Sequence, residues 1–185
     1  SVSGPGVRGG RVVDDFVSLP DLAATFLEIG GVERPKVMTS KSIWPTLKSK
    51  KQGLVDGSRD HVLTGRERHV ARARAGELPY PQRALRTKDF LFVINFKPER
   101  YPLGDHYGLD GEKEADVNQL TNNTFVTIPD EDAGPTKAWL VRSRKEDSWK
   151  SLFNKVYGKR MPIELFDLNQ DPYEMHNLAG ERAHA

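Results

Sequence analysis

The chain has 185 residues, of which 29% are charged and 37% hydrophobic, and its formal net charge is +2. This is a globular composition, long enough to bury one sizeable core. No apolar run approaches the ~20 residues that a membrane-spanning helix needs. The absence of cysteine excludes disulfides, thiolate metal sites and a cysteine nucleophile within this chain.

Charge is distributed unevenly along the sequence. Residues 66–88 carry seven basic side chains against two acidic ones, whereas residues 105–132 carry eight acidic side chains against one lysine. The first segment is suited to face an anionic ligand, and the second is typical of a solvated loop. Ordinary surface charge is the simpler interpretation of both segments.

The first half of the chain predicts one good helix, over residues 18–29. Ser18 is a suitable N-cap, and Asp21 lies three residues later to complete a capping box. A short helical turn over 42–47 and a strand over 61–64 are predicted to follow. Helical spacing places five apolar residues on one face of the first helix: Leu19, Leu22, Ala23, Phe26 and Leu27.

The second half of the chain predicts a hairpin, a loop and a helix in that order. The hairpin pairs residues 82–87 with 90–96, the latter being the strongest strand pattern in the sequence. Residues 97–135 are rich in Pro, Gly, Asp and Asn, which predicts a long, meandering surface loop with a short helical turn after Glu112. Residues 145–157 carry one apolar stripe at helical spacing and predict a second amphipathic helix.

The most informative motif lies near the end of the sequence. Residues 164–168 alternate polar and apolar side chains, which predicts a half-buried strand, and Asp171-Pro172 then supplies turn chemistry. Glu174 and Asn177 are placed to tie the following loop backbone down. The hairpin, this last strand and the preceding helix together predict a small antiparallel sheet with one packed face.

Three stretches, in this order and spacing, resemble the C-terminal third of a sulfatase: residues 10–31, 60–97 and 163–179. Within the second stretch, residues 80–90 look most like the branch that contains heparan N-sulfatase, the N-sulfoglucosamine sulfohydrolases. The resemblance implies an α/β, alkaline-phosphatase-like fold. This chain would supply its C-terminal portion, including a small antiparallel sheet packed by a helix, an α+β subdomain.

The resemblance also implies a division of the chain. Residues 1–75 would be the incomplete end of the catalytic α/β domain. Residues 76–185 would form the sheet subdomain, with the long loop at about 97–135. The expected partners are the remainder of the sulfatase chain and a sulfated carbohydrate, without nucleic acid. The resemblance implies a periplasmic, secreted or lysosomal location, and the sequence itself carries no targeting signal.

Sulfatases hydrolyse sulfate esters or sulfamates, and their chemistry uses two groups that this sequence does not supply. One is a formylglycine made from Cys or Ser in a Cys/Ser-x-Pro-x-Arg motif, and the other is a Ca²⁺ held by acidic and amide side chains. The Ser18-Leu19-Pro20 sequence lacks the arginine, and Asp14-Asp15 is better explained by acidity at a helix N-terminus. We therefore expect no catalytic residue, metal ligand or cofactor in this chain, and no activity by it alone.

The segment that follows the strand at 61–64 is the best candidate for touching a substrate. By resemblance, His69 would reach the substrate pocket, with Glu67 and Arg68 behind it. Arginine can grip an oxyanion through two parallel hydrogen bonds, and histidine can donate to a sugar hydroxyl or a sulfate oxygen. A surface or interdomain hydrogen bond is the alternative role for His69.

A non-catalytic module is the competing hypothesis for the whole chain. In this hypothesis the basic segment 66–88 binds a polyanion such as a sulfated glycan or a nucleic acid. It predicts binding by the isolated chain that weakens as salt is added. Aromatic residues interleaved with the basic ones favour nucleic acid, and only Tyr80 is so placed, which counts against that ligand.

Overall fold

The computed structural model describes residues 1–109 and 115–181. No helix within these ranges combines the length and the apolar character that a membrane crossing requires. The regular elements in chain order are α1 (Leu19–Ile29), α2 (Trp44–Lys48), β1 (His61–Arg66), β2 (Gln82–Thr87), β3 (Phe90–Asn95), α3 (Val117–Asn122), α4 (Pro135–Ser143), α5 (Asp147–Tyr157) and β4 (Ile163–Asp167).

The four strands form one antiparallel sheet in the order β1-β2-β3-β4, which confirms the predicted fold class. β2 and β3 form the predicted hairpin. The edge strand β4 is bonded by a side chain: the Asn177 Oδ1 accepts from the Leu165 N–H at 2.9 Å, and its Nδ2 donates to the Ile163 carbonyl at 3.0 Å. Asn177 therefore imitates a neighbouring backbone and ties the loop to the strand, as predicted.

The chain forms two compact units. The first unit comprises Ser1–Thr64, Leu85–Leu91 and Phe166–His176, and the second comprises Gly65–Ala84, Phe92–Leu165 and Asn177–Ala185. The domain boundary near residue 75 that the resemblance implies stays a prediction.

In the first unit, α1 has the predicted bounds, and its apolar face is only partly buried. The Ser18 N–H donates to the Asp21 carboxylate at 3.1 Å, as expected of a capping box. Of the predicted apolar face, Leu22 and Leu27 are half-buried, whereas Leu19 and Phe26 are 83% and 67% exposed. The buried residues of α1 are Asp21, Ala24 and Thr25, and this largely polar face is fixed by hydrogen bonds, including one from the Ile43 N–H to the Thr25 Oγ1 at 2.9 Å.

A buried ion pair fastens that polar face. The Arg59 guanidinium lies 2.8 Å from the Asp21 carboxylate, and both side chains are less than 10% exposed. Asp15 is also structural. Its carboxylate accepts from the backbone N–H groups of Val55 and Asp56 at 2.6 and 3.1 Å. The Asp15 carboxylate therefore stabilises the loop at residues 55 and 56. The prediction that its acidity is explained by the N-terminus of α1 is wrong.

The second unit contains a hydrophobic core cluster, and part of it comes from the segment predicted to be a surface loop. Within 97–135 the chain forms α3, and Leu120 and Ile128 are fully buried; residues 110–114 of this segment lie outside the described residues. Widely spaced apolar anchors leave no periodic signal, which is why composition suggested a loop. The cluster consists of Leu109, Leu120, Ile128, Ala138, Leu140, Val141, Phe153 and Tyr157.

Candidate functional site

The candidate site is built on the loop that connects β1 to β2 in the second unit. After β1 the backbone passes through two 3-10 turns, Ala71–Ala73 and Ala75–Glu77. The loop closes where the Tyr80 N–H donates to the Glu67 carbonyl at 2.7 Å. Residues 67–80 therefore form a closed excursion from the sheet, and His69 lies near its start.

His69 pairs with an aspartate that is distant in the sequence. The His69 Nδ1 lies 2.8 Å from the Asp130 Oδ1. The imidazole is 73% exposed, whereas the Asp130 side chain is only 2% exposed. The pair therefore joins an accessible ring to a buried carboxylate, an arrangement that fixes the orientation of a histidine.

Two arginines neutralise the buried carboxylate. The guanidinium groups of Arg74 and Arg66 lie 3.8 and 4.0 Å from the Asp130 Oδ2. Both also donate to the Pro102 carbonyl, at 2.5 Å from Arg74 and 2.8 Å from Arg66. These contacts hold the two cations in place behind the pair, as a buried carboxylate requires.

Tyr80 supports both arginines from beneath. The guanidinium carbons of Arg66 and Arg74 lie 5.5 and 5.4 Å from the centroid of its ring, within the range of cation–π attraction. Burial raises the pKa of the Tyr80 hydroxyl, and burial likewise lowers the pKa of Arg74. The Tyr80 ring thus packs against the guanidinium groups of both arginines.

The segment that carries Asp130 is fixed by its backbone. The Asp130 N–H donates to the Leu103 carbonyl at 2.9 Å, and the Ile128 N–H donates to the Asp105 carbonyl at 3.0 Å. Lys137 on α4 is 2% exposed, and its ammonium donates to three carbonyls in this region: those of Thr124 at 3.2 Å, Ile128 at 3.0 Å and Glu131 at 2.7 Å.

Glu67 and Arg68 are directed to other partners. Glu67 forms an ion pair with Arg83, and Arg68 donates to the Glu77 carbonyl at 3.0 Å. The structure thus gives His69 and the other two predicted site residues different neighbours. Their role as substrate-binding residues stays a prediction.

Sequence reasoning missed Asp130, Arg66 and Arg74. The signal that pointed to them was the segregation of charge, because Arg66 and Arg74 belong to the basic segment and Asp130 to the acidic one. The opposite charges of the two segments meet at this cluster. Within residues 1–109 and 115–181, no group of three or more His, Asp or Glu side chains is arranged to hold a metal ion. The expected Ca²⁺ site concerns residues outside this chain and stays a prediction.

A concave region lies in the first unit, away from His69 in the sequence. It has a volume of about 350 Å³ and is bordered by Asp21, Lys41, Arg59 and His61 among others. The Arg59 and Asp21 side chains there are bonded to each other, and the His61 Nδ1 lies 2.6 Å from the Asp60 carboxylate. The charged groups of this cleft are therefore paired with each other. The cleft differs in this respect from the His69 site, where an exposed imidazole is paired with a buried carboxylate.

Comparisons with known proteins give one sequence match and a shared fold. No family model matches the chain. The chain is 40% identical over 62 residues to an extracellular sulfatase SULF-1 homolog of Drosophila melanogaster, a match that covers 34% of this chain and 6% of that protein. The chain thus spans only a small part of that relative.

Two solved sulfatase structures share the fold at 17% sequence identity. One is a putative sulfatase from Bacteroides thetaiotaomicron (TM-score 0.52), and the other is a 2-O GAG sulfatase (TM-score 0.50). Each superposition covers 98% of this chain and 25% of the other chain. By a sequence match over about a third of its length and by its fold over nearly all of it, the chain resembles the sulfatases.

Proposed function

We propose that this chain is part of a sulfatase-type hydrolase that cleaves sulfate esters or sulfamates, and that His69 contacts its sulfated sugar. The observation that carries the second part is the exposed His69 ring held on the buried Asp130 carboxylate. A ring fixed in this way loses little rotational freedom when a ligand binds, which favours recognition. The sequence match to a sulfatase supports the first part.

The chain's own residues serve recognition and not the chemical step. The nucleophile, a formylglycine, and the Ca²⁺ that offsets sulfate charge are expected in the remainder of the protein. His69 offers its second ring nitrogen to a polar group of the sugar, and the arginines behind Asp130 balance the buried charge. We expect the chain alone to release no sulfate.

Exposed apolar residues of the first unit favour contact with further protein segments. Leu19 and Phe26, which lie on one helical stripe of α1, are 83% and 67% exposed. Clusters of large exposed apolar side chains mark surfaces that another protein segment covers. We propose that the remainder of the sulfatase chain, the expected partner, packs on this stripe.

The polyanion-binding alternative has less support. In the basic segment 66–88, the basic side chains Arg66, Arg68, Arg74, Arg83 and Arg86 lie within 4.0 Å of a carboxylate. Charge that is compensated inside the protein contributes little to binding phosphate or sulfate groups.

The test is the release of sulfate from a sulfamate, N-sulfoglucosamine, and from a sulfate ester, glucosamine 6-sulfate. The chain alone and the chain produced together with its upstream coding sequence are assayed side by side. The proposal predicts release only by the longer protein, and only when it carries a Cys/Ser-x-Pro-x-Arg motif. Absence of that motif upstream, or absence of release by a folded longer protein, contradicts the proposal.

A further inference from the structure

We propose that Asp130 is a positioning residue that holds the neutral His69 ring in one tautomer, so that its Nε2 accepts a hydrogen bond from an O–H or N–H group of the ligand. This inference rests on the proposed role of His69 in sugar recognition. It goes further, because it states which atom makes the contact and which kind of ligand group that atom selects.

The tautomer follows from the partner. An ionised carboxylate can only accept hydrogen bonds, so the Nδ1 that lies 2.8 Å from the Asp130 Oδ1 must carry a proton. In a neutral ring the proton on Nδ1 leaves Nε2 with a lone pair. Arg66 and Arg74 carry only hydrogen-bond donors, and they face the Asp130 Oδ2 at 4.0 and 3.8 Å, which suits a carboxylate that acts as an acceptor.

The carboxylate is rigid enough to impose this choice. Asp130 is anchored at its own N–H by Leu103, and the neighbouring carbonyls are held by the buried Lys137 ammonium. Gly104 packs so closely beside this segment that a Cβ there would lie 2.7 Å from the Pro129 Cδ. The exposed His69 ring is therefore bonded to a segment that is held by a backbone hydrogen bond, by the Lys137 ammonium and by close packing against Gly104.

The tautomer has a consequence for specificity. A neutral ring with Nε2 as acceptor matches a hydrogen-bond donor, such as a sugar hydroxyl or a sulfamate N–H, and does not match a bare sulfate oxygen. The opposite tautomer, with the proton on Nε2, matches a sulfate oxygen instead. Asp130 therefore selects the part of a sulfated sugar that His69 recognises.

The tautomer can be measured in the chain without any ligand. In the ¹⁵N-labelled protein at about pH 8, where histidine is largely neutral, two-bond proton–nitrogen correlations report which ring nitrogen carries the proton. We expect the Nδ1–H form for His69, assigned with His69→Gln. The exposed His176 serves as an internal control, and we expect it to show mainly the Nε2–H form of an unconstrained imidazole. A dominant Nε2–H form of His69 overturns the inference.

The Asp130→Asn variant tests the cause. It keeps the shape of the side chain and removes the obligatory acceptor, so we expect the Nδ1–H preference of His69 to be lost. If the preference persists in a folded variant, Asp130 does not set it. The wild-type measurement stands by itself if this variant fails to fold.

A titration with N-sulfoglucosamine separates this inference from the proposed function; it uses the longer protein with the Cys or Ser of its Cys/Ser-x-Pro-x-Arg motif replaced by alanine, so that the ligand is not turned over. If the tautomer is as expected and the His69 signals shift on titration, both are supported, and we expect Asp130→Asn to weaken binding roughly 2- to 10-fold. If the tautomer is as expected and no shift occurs at saturating ligand, the substrate contact fails. In that case Asp130 still positions the His69 ring. The inference that the Nε2 accepts a hydrogen bond from the ligand is overturned.

Discussion

Lys137→Met tests whether the buried ammonium holds the segment that carries Asp130. The lysine is 2% exposed and donates to three backbone carbonyls at 2.7–3.2 Å. Hydrogen bonds to a charged group contribute roughly 1.5–3 kcal/mol each, so three contribute roughly 5–9 kcal/mol. Methionine avoids the cost of burying a charge, which is several kcal/mol. The net loss of unfolding free energy should be about 2–4 kcal/mol.

The assay is equilibrium unfolding in urea, followed by tryptophan fluorescence. Trp139 on α4 and Trp149 on α5 pack edge to face with centroids 4.5 Å apart, so their emission reports on this part of the second unit. Lys150→Met on the exposed side of α5 is the matched control and should change the unfolding free energy by less than about 0.5 kcal/mol. If Lys137→Met is as mild as this control, the ammonium does not hold the segment.

The remaining predictions concern backbone geometry, the sheet edge and acid stability. Gly104→Ala should destabilise the protein by roughly 2 kcal/mol more than Gly108→Ala in urea unfolding. Both glycines have positive φ, but only at Gly104 does a Cβ meet a neighbour, the Pro129 Cδ at 2.7 Å; equal losses contradict this reasoning. Asn177→Ala should cost about 1–2 kcal/mol and speed amide exchange in β4, because three hydrogen bonds of its side chain are lost; unchanged exchange refutes this. Burial opposes ionisation of Asp21, but backbone N–H groups and an arginine outweigh it and lower its pKa below 3.8. Its stabilisation is therefore present above pH 3.8 and lost as the pH falls through the lower folded value. Asp21→Asn should flatten the acid limb of the stability curve, and an unchanged slope counts against the assignment.

Local patterns were sufficient for the elements whose signal lies in consecutive residues. The hairpin of β2 and β3 and the bounds of α1 follow from alternation and capping residues. The degree of burial of α1 did not follow from these patterns. Helical spacing identified its apolar side correctly, but within the first unit that side is only partly buried, because periodicity does not say what covers it.

The helix α4 and the site partner were beyond local reasoning for a different reason. Lys137 lies at a buried position of α4, so a charged residue interrupts the expected pattern, and only its carbonyl partners explain it. Asp130 lies 61 residues from His69 along the chain. Opposite charge in the two segments was the only indication that they meet, and charge alone does not select one pair among many.

The most direct test of the account is the effect of His69→Ala on sulfate release by the longer protein that includes the upstream sequence. His176→Ala, which removes another exposed imidazole, is the matched control. Loss of a ligand contact predicts that kcat/KM for N-sulfoglucosamine falls roughly 10- to 100-fold for His69→Ala, while the control remains unchanged. Equal values of kcat/KM for wild type and His69→Ala would contradict the role proposed for this residue.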